Sequence, residues 1–426
     1  MKNNNGFMLD GDVFLVGGAK RGAIYDLRSG EVYSISEVSL KVLALLESGL
    51  SVSKILEAVP KLEPDQLINF LFQLEKINLG KFLENAEIAK KMSLDVPDFN
   101  LNFMWLELTE RCNLNCVHCY NKSSGRRSAK KELKLRDWER VIREASILGC
   151  KKIQLIGGEP LIFGKNIWFI IDLARRLGYE MIEIFSNATL FTDEFIELMS
   201  CYNICAAVSV YSKRAEIHDA VTRTLGSFER TMESIRKLKA KGVSVRLATV
   251  VVKQNEDFLT ETLNFFEEMG ETQVSRCFDI VRPVGRGENI CLTPSNLNSW
   301  RYRKNPVFPK ISRNIFVQRK YGHSCWKGSI AITSGGDVLP CIMARKMKCG
   351  NVTQQSLHEI LKGKNLRRLW GLSKDKIKKC KDCEYRYLCI DCRPSIRGNI
   401  TGSDPFCTYN PYEGKWQTIT PLLQLS

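Results

Sequence analysis

No stretch of this sequence approaches the ~18 consecutive uncharged apolar residues that a membrane span requires. The first residues, Met1-Lys-Asn-Asn-Asn-Gly, lack the apolar core of a secretory signal. A cytoplasmic chain without a membrane partner is expected. Disulfides are rare in such a compartment, so the sixteen cysteines are read as candidate metal ligands. The net charge of +16 raises a nucleic-acid partner. However, the basic clusters Lys122 to Lys134 and Lys374 to Lys381 lack interleaved aromatics, and no nucleic-acid-binding module is legible. The clusters are read as solvated surface with attraction for an acidic peptide, and a nucleic-acid partner is not expected.

What is present is a chain of 426 residues, 44% hydrophobic and 26% charged, which is globular in composition and long enough for two to three domains. Its organising stretch is Cys112-Asn-Leu-Asn-Cys116-Val-His-Cys119-Tyr120. This follows a strand-like run, Phe103 to Leu108, and a polar turn, Thr109-Glu110-Arg111. A cubane iron–sulfur cluster normally takes four thiolates, so three closely spaced ones leave one iron without a protein ligand. An open metal position is where a small molecule can coordinate and be acted on. Spacing alone leaves two alternatives open: three cysteines on one helix face, and a zinc site completed by His118.

Residues 1–90 read as a small separate domain. Strands are predicted at Asp12 to Val16, Gly22 to Asp26 and Glu31 to Ile35. Helices follow from Ser36, with Val38, Val42, Leu45 and Leu46 on one face, from Ser51, and from Glu63-Pro64 with Leu67, Phe70, Leu71 and Leu74. Three strands and three helices make a winged-helix-like unit, and Glu87 to Asn100 reads as a linker. From Leu101 strand and helix alternate. Strands are predicted at Phe103–Leu108, Lys152–Ile156, Glu180–Phe185, Ile204–Val210, Val243–Val252 and Val274–Val281. Such alternation demands parallel strands with helical crossovers, here a partial (β/α)6 barrel over residues 91–300 with its site at the strands' carboxyl ends. Residues 301–426 hold a second cysteine array. Cys325 and Gly336 have ten residues between them, and four more residues separate Gly336 from Cys341. Cys380, Cys383, Cys389, Cys392 and Cys407 follow. Paired CxxC units point to metal, zinc by default. Cys150, Cys201, Cys205, Cys277 and Cys291 read as buried thiols acting as small hydrophobes.

The CxxxCxxC stretch, with His118 before its third cysteine, resembles the radical S-adenosylmethionine (SAM) superfamily. The resemblance implies that Cys112, Cys116 and Cys119 bind a 4Fe-4S cluster whose fourth iron is chelated by SAM, and that a 5'-deoxyadenosyl radical results. Gly157-Gly158-Glu159-Pro160 matches the superfamily's GGEP motif, which contacts the SAM amino group. Ser186 and Asn187 match its polar contact after the third strand, and Ser209 follows the fourth. There the chain reads Ser209-Val210-Tyr211-Ser212 where many relatives carry Ser-Leu-Asp-Gly, which removes the acid some of them use. Arg223, within the His218 to Phe228 stretch, is implied as a partner of the SAM carboxylate or a surface arginine, with His218 a local structural residue.

The carboxyl-terminal cysteines resemble the SPASM extension with two auxiliary 4Fe-4S clusters. By that resemblance Cys380, Cys383, Cys389 and Cys407 bind one, and Cys325, Cys341 and Cys392 the other. Arg319 and Lys320 stand where relatives carry a further cysteine, so the second cluster has an open iron or borrows Cys349. The front unit is similar to the leader-peptide-recognition (PqqD-like) domain of peptide maturases, and Val284-Gly285-Arg286-Gly287-Glu288 to a loop of thioether-forming relatives. Together these imply an α/β radical SAM enzyme that modifies a ribosomally synthesised precursor peptide. The expected product is a thioether or other crosslink, and a donor such as flavodoxin or ferredoxin supplies electrons. The alternatives are a sulfatase-maturing-type enzyme, a peptide epimerase, and, from another class, a zinc-stabilised nucleic-acid-binding protein.

Overall fold

The computed structural model describes residues 5–60, 62–88, 91–96, 98, 100–125, 131–272, 276–295, 310–396, 399–404 and 407–416. Part of the expected linker (89, 90, 97 and 99), part of the basic run 122–134 (126–130), the start of the sixth predicted strand (274 and 275) and the boundary near residue 300 lie outside them.

In the front unit β2 (Val13–Gly17), β3 (Gly22–Asp26) and β4 (Val32–Ile35) form an antiparallel meander. Three helices follow. α1 (Glu37–Glu47) starts at Ser36, whose hydroxyl accepts from the Ser39 amide at 3.0 Å. α2 (Val52–Ala58) is capped by Ser51, and α3 (Pro64–Lys76) opens on a proline, where the missing N–H has no helical partner to lose. Val42, Leu43, Leu46, Ile55, Leu67 and Leu71 close one core with Val13 and Ile24. Val38, expected on the buried face, is exposed, and Leu43 takes its place. Strand β1 (Gly6–Leu9) pairs antiparallel with β5 (Gly80–Leu83), a clasp that no local pattern announced.

Side chains alternate across the meander, so its two faces meet different partners. Val13 and Ile24 face the helices, while Phe14, Val16 and Tyr25 join Phe316 of α10 (Arg313–Tyr321), Tyr387 and Leu388 in a second core. The Tyr25 hydroxyl donates to the Glu384 carbonyl at 2.8 Å, and the Ala19 amide to the Asp382 carbonyl at 2.8 Å. The front sheet is thus fastened to the segment that carries Cys383 and Cys389.

The six expected barrel strands are β6 (Phe103–Glu107), β7 (Lys152–Ile156), β8 (Met181–Ser186), β9 (Cys205–Ser209), β10 (Val245–Val251) and β11 (Arg276–Ile280). They are parallel and adjacent in chain order, a partial (β/α)6 barrel. The crossovers are α4 (Leu135–Ile147), α5 (Asn166–Arg176), α6 (Asp193–Cys201), α8 (Ser227–Ala240) and α9 (Leu259–Glu268), with a short α7 (Ala215–Thr222) before α8. The sheet does not divide near residue 300. Strand β12 (Ser329–Ile332) adds parallel to β6, and β13 (Asp337–Leu339) and β14 (Gly350–Asn351) continue antiparallel, making nine strands. Trp138, Trp326 and Trp370 share one core, so the cysteine-rich segment and the barrel bury a common surface.

Candidate active site

A parallel barrel gathers the residues that leave each strand's carboxyl end. After β6 the chain turns at Thr109 and enters the cysteine loop. Gly157-Gly158 follow β7, Ser186-Asn187 end β8, Ser209 ends β9, Asp279-Ile280 end β11, and all of them line one cavity with Cys112, Cys116 and Cys119. The glycines of the GGEP motif meet protein backbone here. A Cβ on Gly158 would lie 1.9 Å from the Arg111 carbonyl oxygen, and one on Gly157 2.5 Å from that of Thr109. The Gly158 amide donates to the Thr109 carbonyl at 2.7 Å and the Glu159 amide to the Arg111 carbonyl at 2.8 Å. The glycines therefore let the turn before Cys112 lie flat on the end of β7.

Glu159 is buried and points away from the cavity. Its carboxylate accepts from Ser186 Oγ at 2.8 Å, the Asn187 amide at 3.0 Å and the Leu161 amide at 3.2 Å, pinning the end of β7 to that of β8. Burial pushes its pKa up to about 7 against these donors. Asn187 in turn reaches the Cys112 sulfur at 3.8 Å and Asn113 Oδ1 at 3.0 Å.

Arg286, in the loop after β11, clasps the cysteine loop. Its amide donates to the Cys119 carbonyl at 2.9 Å, and its guanidinium donates to the carbonyls of Cys116 at 2.7 Å and Ser123 at 2.9 Å. Gly285, at φ 65°, lies so close that a Cβ would be 2.2 Å from the Tyr120 carbonyl oxygen. The opposite side of the loop is held by α7, where the carbonyls of Val221 and Thr222 accept from the amides of Val117 at 2.9 Å and Asn115 at 3.2 Å. The His218 to Phe228 stretch is a local knot behind it. Asp219 accepts from Ser227 Oγ and the amides of Gly226 and Phe228, while neutral, buried His218 accepts from the Tyr211 amide at 3.3 Å. Arg223, the exposed left-handed cap of α7, is not among the residues that line the cavity.

Burial pushes the Cys112 and Cys116 thiols up to about 12, with Glu159 and then Cys119 adding to it at Cys112, and Cys112 and Cys119 at Cys116. Donors are already aimed at the sulfurs: the Leu114 amide at Cys112 and the Ser123 amide at Cys119, each at 3.4 Å. His118 also lines the cavity. Burial pushes its pKa down to about 4, and its ring meets Tyr211 edge-on at 4.9 Å. Tyr211 thus fills the space of the missing acid with a neutral phenol. Sequence reasoning missed Asp279, the one carboxylate among the described lining residues, although its place at the end of the sixth strand marked it. Arg282 binds it at 2.8 Å.

Among the described residues no three His, Cys, Asp or Glu side chains converge as one bound ion would require. A cubane differs in its demand, because each thiolate binds its own iron. Three unpaired thiols on one cavity wall, with amide donors on the sulfurs and polar groups opposite, fit such a cluster and a polar ligand on it. The carboxyl-terminal cysteines separate into two neighbourhoods. The Cys325 thiol is pushed up to about 12 by the atoms packed around it and then by Cys341 and Cys392, although the residue keeps an open side. Burial raises Cys380, Cys383 and Cys389, Lys374 opposes it at Cys380 and Cys389, and Cys389 and Cys407 are neighbours of both Cys380 and Cys383. Cys349 has neither set as a neighbour and donates to the Met347 carbonyl at 3.5 Å. Of the cysteines read as buried hydrophobes only Cys150 is buried. Cys205 is half-buried, and Cys201, Cys277 and Cys291 are exposed at a helix end, the outermost barrel strand and a loop.

A profile of the radical SAM superfamily matches residues 106–266, and one of the SPASM iron-sulfur cluster-binding domain matches 325–384. The AdoMet-dependent heme synthase of Methanosarcina barkeri is 27% identical over 339 residues, covering 72% of this chain and 95% of that relative. The subtilosin biosynthesis protein AlbA of Bacillus subtilis is 27% identical over 321 residues, covering 71% and 68%. The crystal structure of Streptococcus suis SuiB bound to its precursor peptide SuiA aligns over 95% of this chain and 100% of that one, with a TM-score of 0.56 and 16% identity. The chain thus carries a radical SAM domain over residues 106–266 and a SPASM iron-sulfur cluster-binding domain over residues 325–384, the two domains of an iron–sulfur enzyme that uses SAM.

Proposed function

We propose that this enzyme modifies a ribosomally synthesised precursor peptide, forming a thioether or another crosslink. The observation that carries the reading is the front unit. Among the described residues β4 pairs only with β3, leaving one strand edge to which a leader segment could add by backbone hydrogen bonds, while the other face of the meander is docked on the SPASM segment. A second cavity shares Tyr120 and Met343 with the first and opens between the barrel mouth and the SPASM segment. Val284, Met347, Pro394 and Ile396 line it together with charged Glu110, Lys122 and Arg345. A peptide could reach the cysteine loop through it. Similarity to AlbA, and to SuiB over nearly the whole chain, supports the same substrate class.

In this reading the domains are 1–90, 91–300 and 301–426. Cys112, Cys116 and Cys119 hold the SAM-binding cluster. Cys380, Cys383, Cys389 and Cys407 hold one auxiliary cluster, and Cys325, Cys341 and Cys392 the other. When bound, the first cluster and SAM together supply a 5'-deoxyadenosyl radical for hydrogen abstraction. Gly157, Gly158, Ser186, Asn187 and Ser209 line the SAM site, and Glu159 fixes the positions of Ser186 and Asn187. His118 and Tyr211 present uncharged rings that exclude water, and Asp279 is placed to take a proton. A reducing donor such as flavodoxin or ferredoxin completes the requirement, and a cytoplasmic location suits it.

Co-expression with a neighbouring short open reading frame, followed by weighing the peptide, tests the proposal. Loss of two hydrogens per link is expected, with the leader required. An unchanged mass would exclude crosslinking and leave epimerisation, which conserves mass. Equal identity to a heme synthase makes a small-molecule substrate the second reading, and the absence of any peptide modification would favour it.

A further inference from the structure

The basic run Lys374 to Lys381, read from the sequence as solvated, begins with a buried residue. Lys374 is 5% exposed, Asp391 7% and Arg393 0%. Lys374 Nζ lies 2.6 Å from Asp391 Oδ2, and Arg393 donates to the same oxygen. Arg393 also donates to the carbonyls of Ile400 at 3.2 Å and Gly402 at 2.7 Å. Among the described residues, Asp391 Oδ1 and Arg393 Nε are buried without a hydrogen-bond partner. Two cations thus share one carboxylate, which leaves one surplus positive charge away from water.

Such a charge costs several kcal/mol unless an anion answers it. Beyond Asp391, the acidic groups near Lys374 are the thiols of Cys389 and Cys380, and Asp404 neighbours Cys389. Asp391 stands in the chain between Cys389 and Cys392, one from each cysteine set. Lys374 opens a turn, Lys374–Lys376, that packs against the turn Cys380–Asp382, and its partner Asp391 stands two residues from Cys389. The lysine therefore faces the four-cysteine set.

We propose that Lys374, Asp391 and Arg393 form a charge knot that tunes the iron–sulfur group held by Cys380, Cys383, Cys389 and Cys407, their surplus positive charge favouring its reduced form. Reduction adds one electron, here from dithionite, and no proton. The potential of such a group follows its net charge, the hydrogen bonds to its sulfurs and its exposure, and a cation in a poorly screened interior acts on the first. The inference rests on the auxiliary-cluster reading above.

The test uses the full chain, reconstituted without oxygen, as parent, Lys374→Met and Lys374→Arg. Iron and sulfide are counted, and the clusters are titrated with dithionite while the paramagnetic signals are followed. Lys374→Met is expected to lower the midpoint potential of one auxiliary signal and leave that of the SAM-binding cluster in place, while Lys374→Arg keeps the parent value. Loss of one auxiliary cluster's iron from Lys374→Met alone carries the same meaning, because the arginine keeps the charge. Loss from both variants, or unchanged potentials on a full iron complement, overturns the knot. A parent that holds no iron beyond the first cluster's share overturns it together with the auxiliary-cluster reading.

Discussion

Removing the Arg286 guanidinium tests whether the cysteine loop is held in shape before any cofactor binds. Arg286→Ala keeps the amide bond to Cys119 but deletes two charge-assisted bonds, to the carbonyls of Cys116 at 2.7 Å and Ser123 at 2.9 Å. Such bonds contribute roughly 1.5–3 kcal/mol each, and the half-buried setting places the pair near the lower end, about 3 kcal/mol. That loss falls on one loop, so its amides should open about a hundredfold more often. Hydrogen exchange over residues 112–124 of the iron-free chain reads this directly, and iron content after reconstitution reads the consequence. Arg286→Lys keeps the charge but cannot span two carbonyls with a fixed fork, so it should recover only part of the protection. Exchange and iron content equal to the parent in Arg286→Ala would refute the idea that this residue shapes the loop.

Alanine at Cys112, Cys116 and Cys119 together should abolish formation of 5'-deoxyadenosine by anaerobic, dithionite-reduced protein while leaving the auxiliary iron; undiminished product would sink the cofactor assignment. Glu159→Gln should remove a pH dependence. The folded-state pKa of about 7 lies above the unfolded carboxylate's ~4.3, so the folded chain keeps a proton that the unfolded chain releases. Its stabilising effect is complete below pH ~4.3 and lost as pH rises to about 7, roughly 4 kcal/mol in all. Denaturation of the iron-free chain between pH 5 and 8 should show this slope in the parent and not in the variant. Arg345→Met strands the buried Glu107 carboxylate, whose two oxygens both accept from Arg345 at 2.7 Å, and should cost about 3–5 kcal/mol at neutral pH. Burial already raises the Glu107 pKa, so acid should relieve part of the cost by protonating it; an equal loss at pH 5 and pH 8 would contradict this.

The barrel was legible because its signals are local and periodic: apolar runs end at strand ends, and the motifs fall just beyond them. Spacing marked the carboxyl-terminal cysteines as metal ligands, while their division into two sets came from the SPASM resemblance; in the structure Cys341 and Cys392 are neighbours of Cys325. What escaped depends on contacts between distant segments. The β1–β5 clasp and the addition of β12 to β6 are pairings of short strands whose partners no local pattern identifies. Lys374 looked like its exposed neighbours because Asp391, which draws it inside, lies beyond the run. Glu159 and the glycines before it matched a ligand-binding motif, yet their hydrogen bonds and close contacts go to the protein's own backbone and to Ser186.

The acid absent after the fourth strand has a counterpart after the sixth. Tyr211 stands beside Cys116 as a phenol whose pKa burial raises far above neutrality, so it holds its proton. Asp279, across the sheet from it, is partly open, and Arg282 lies against both its oxygens. Arg282 also lies beside Cys392, and Asp279 and that thiol keep it charged in spite of its burial. The one carboxylate among the described lining residues therefore sits beside Arg282, which neighbours Cys392, away from the position after the fourth strand where many relatives carry an acid. A substrate that gives up a proton here would do so facing the SPASM segment, on the side where the second cavity also opens.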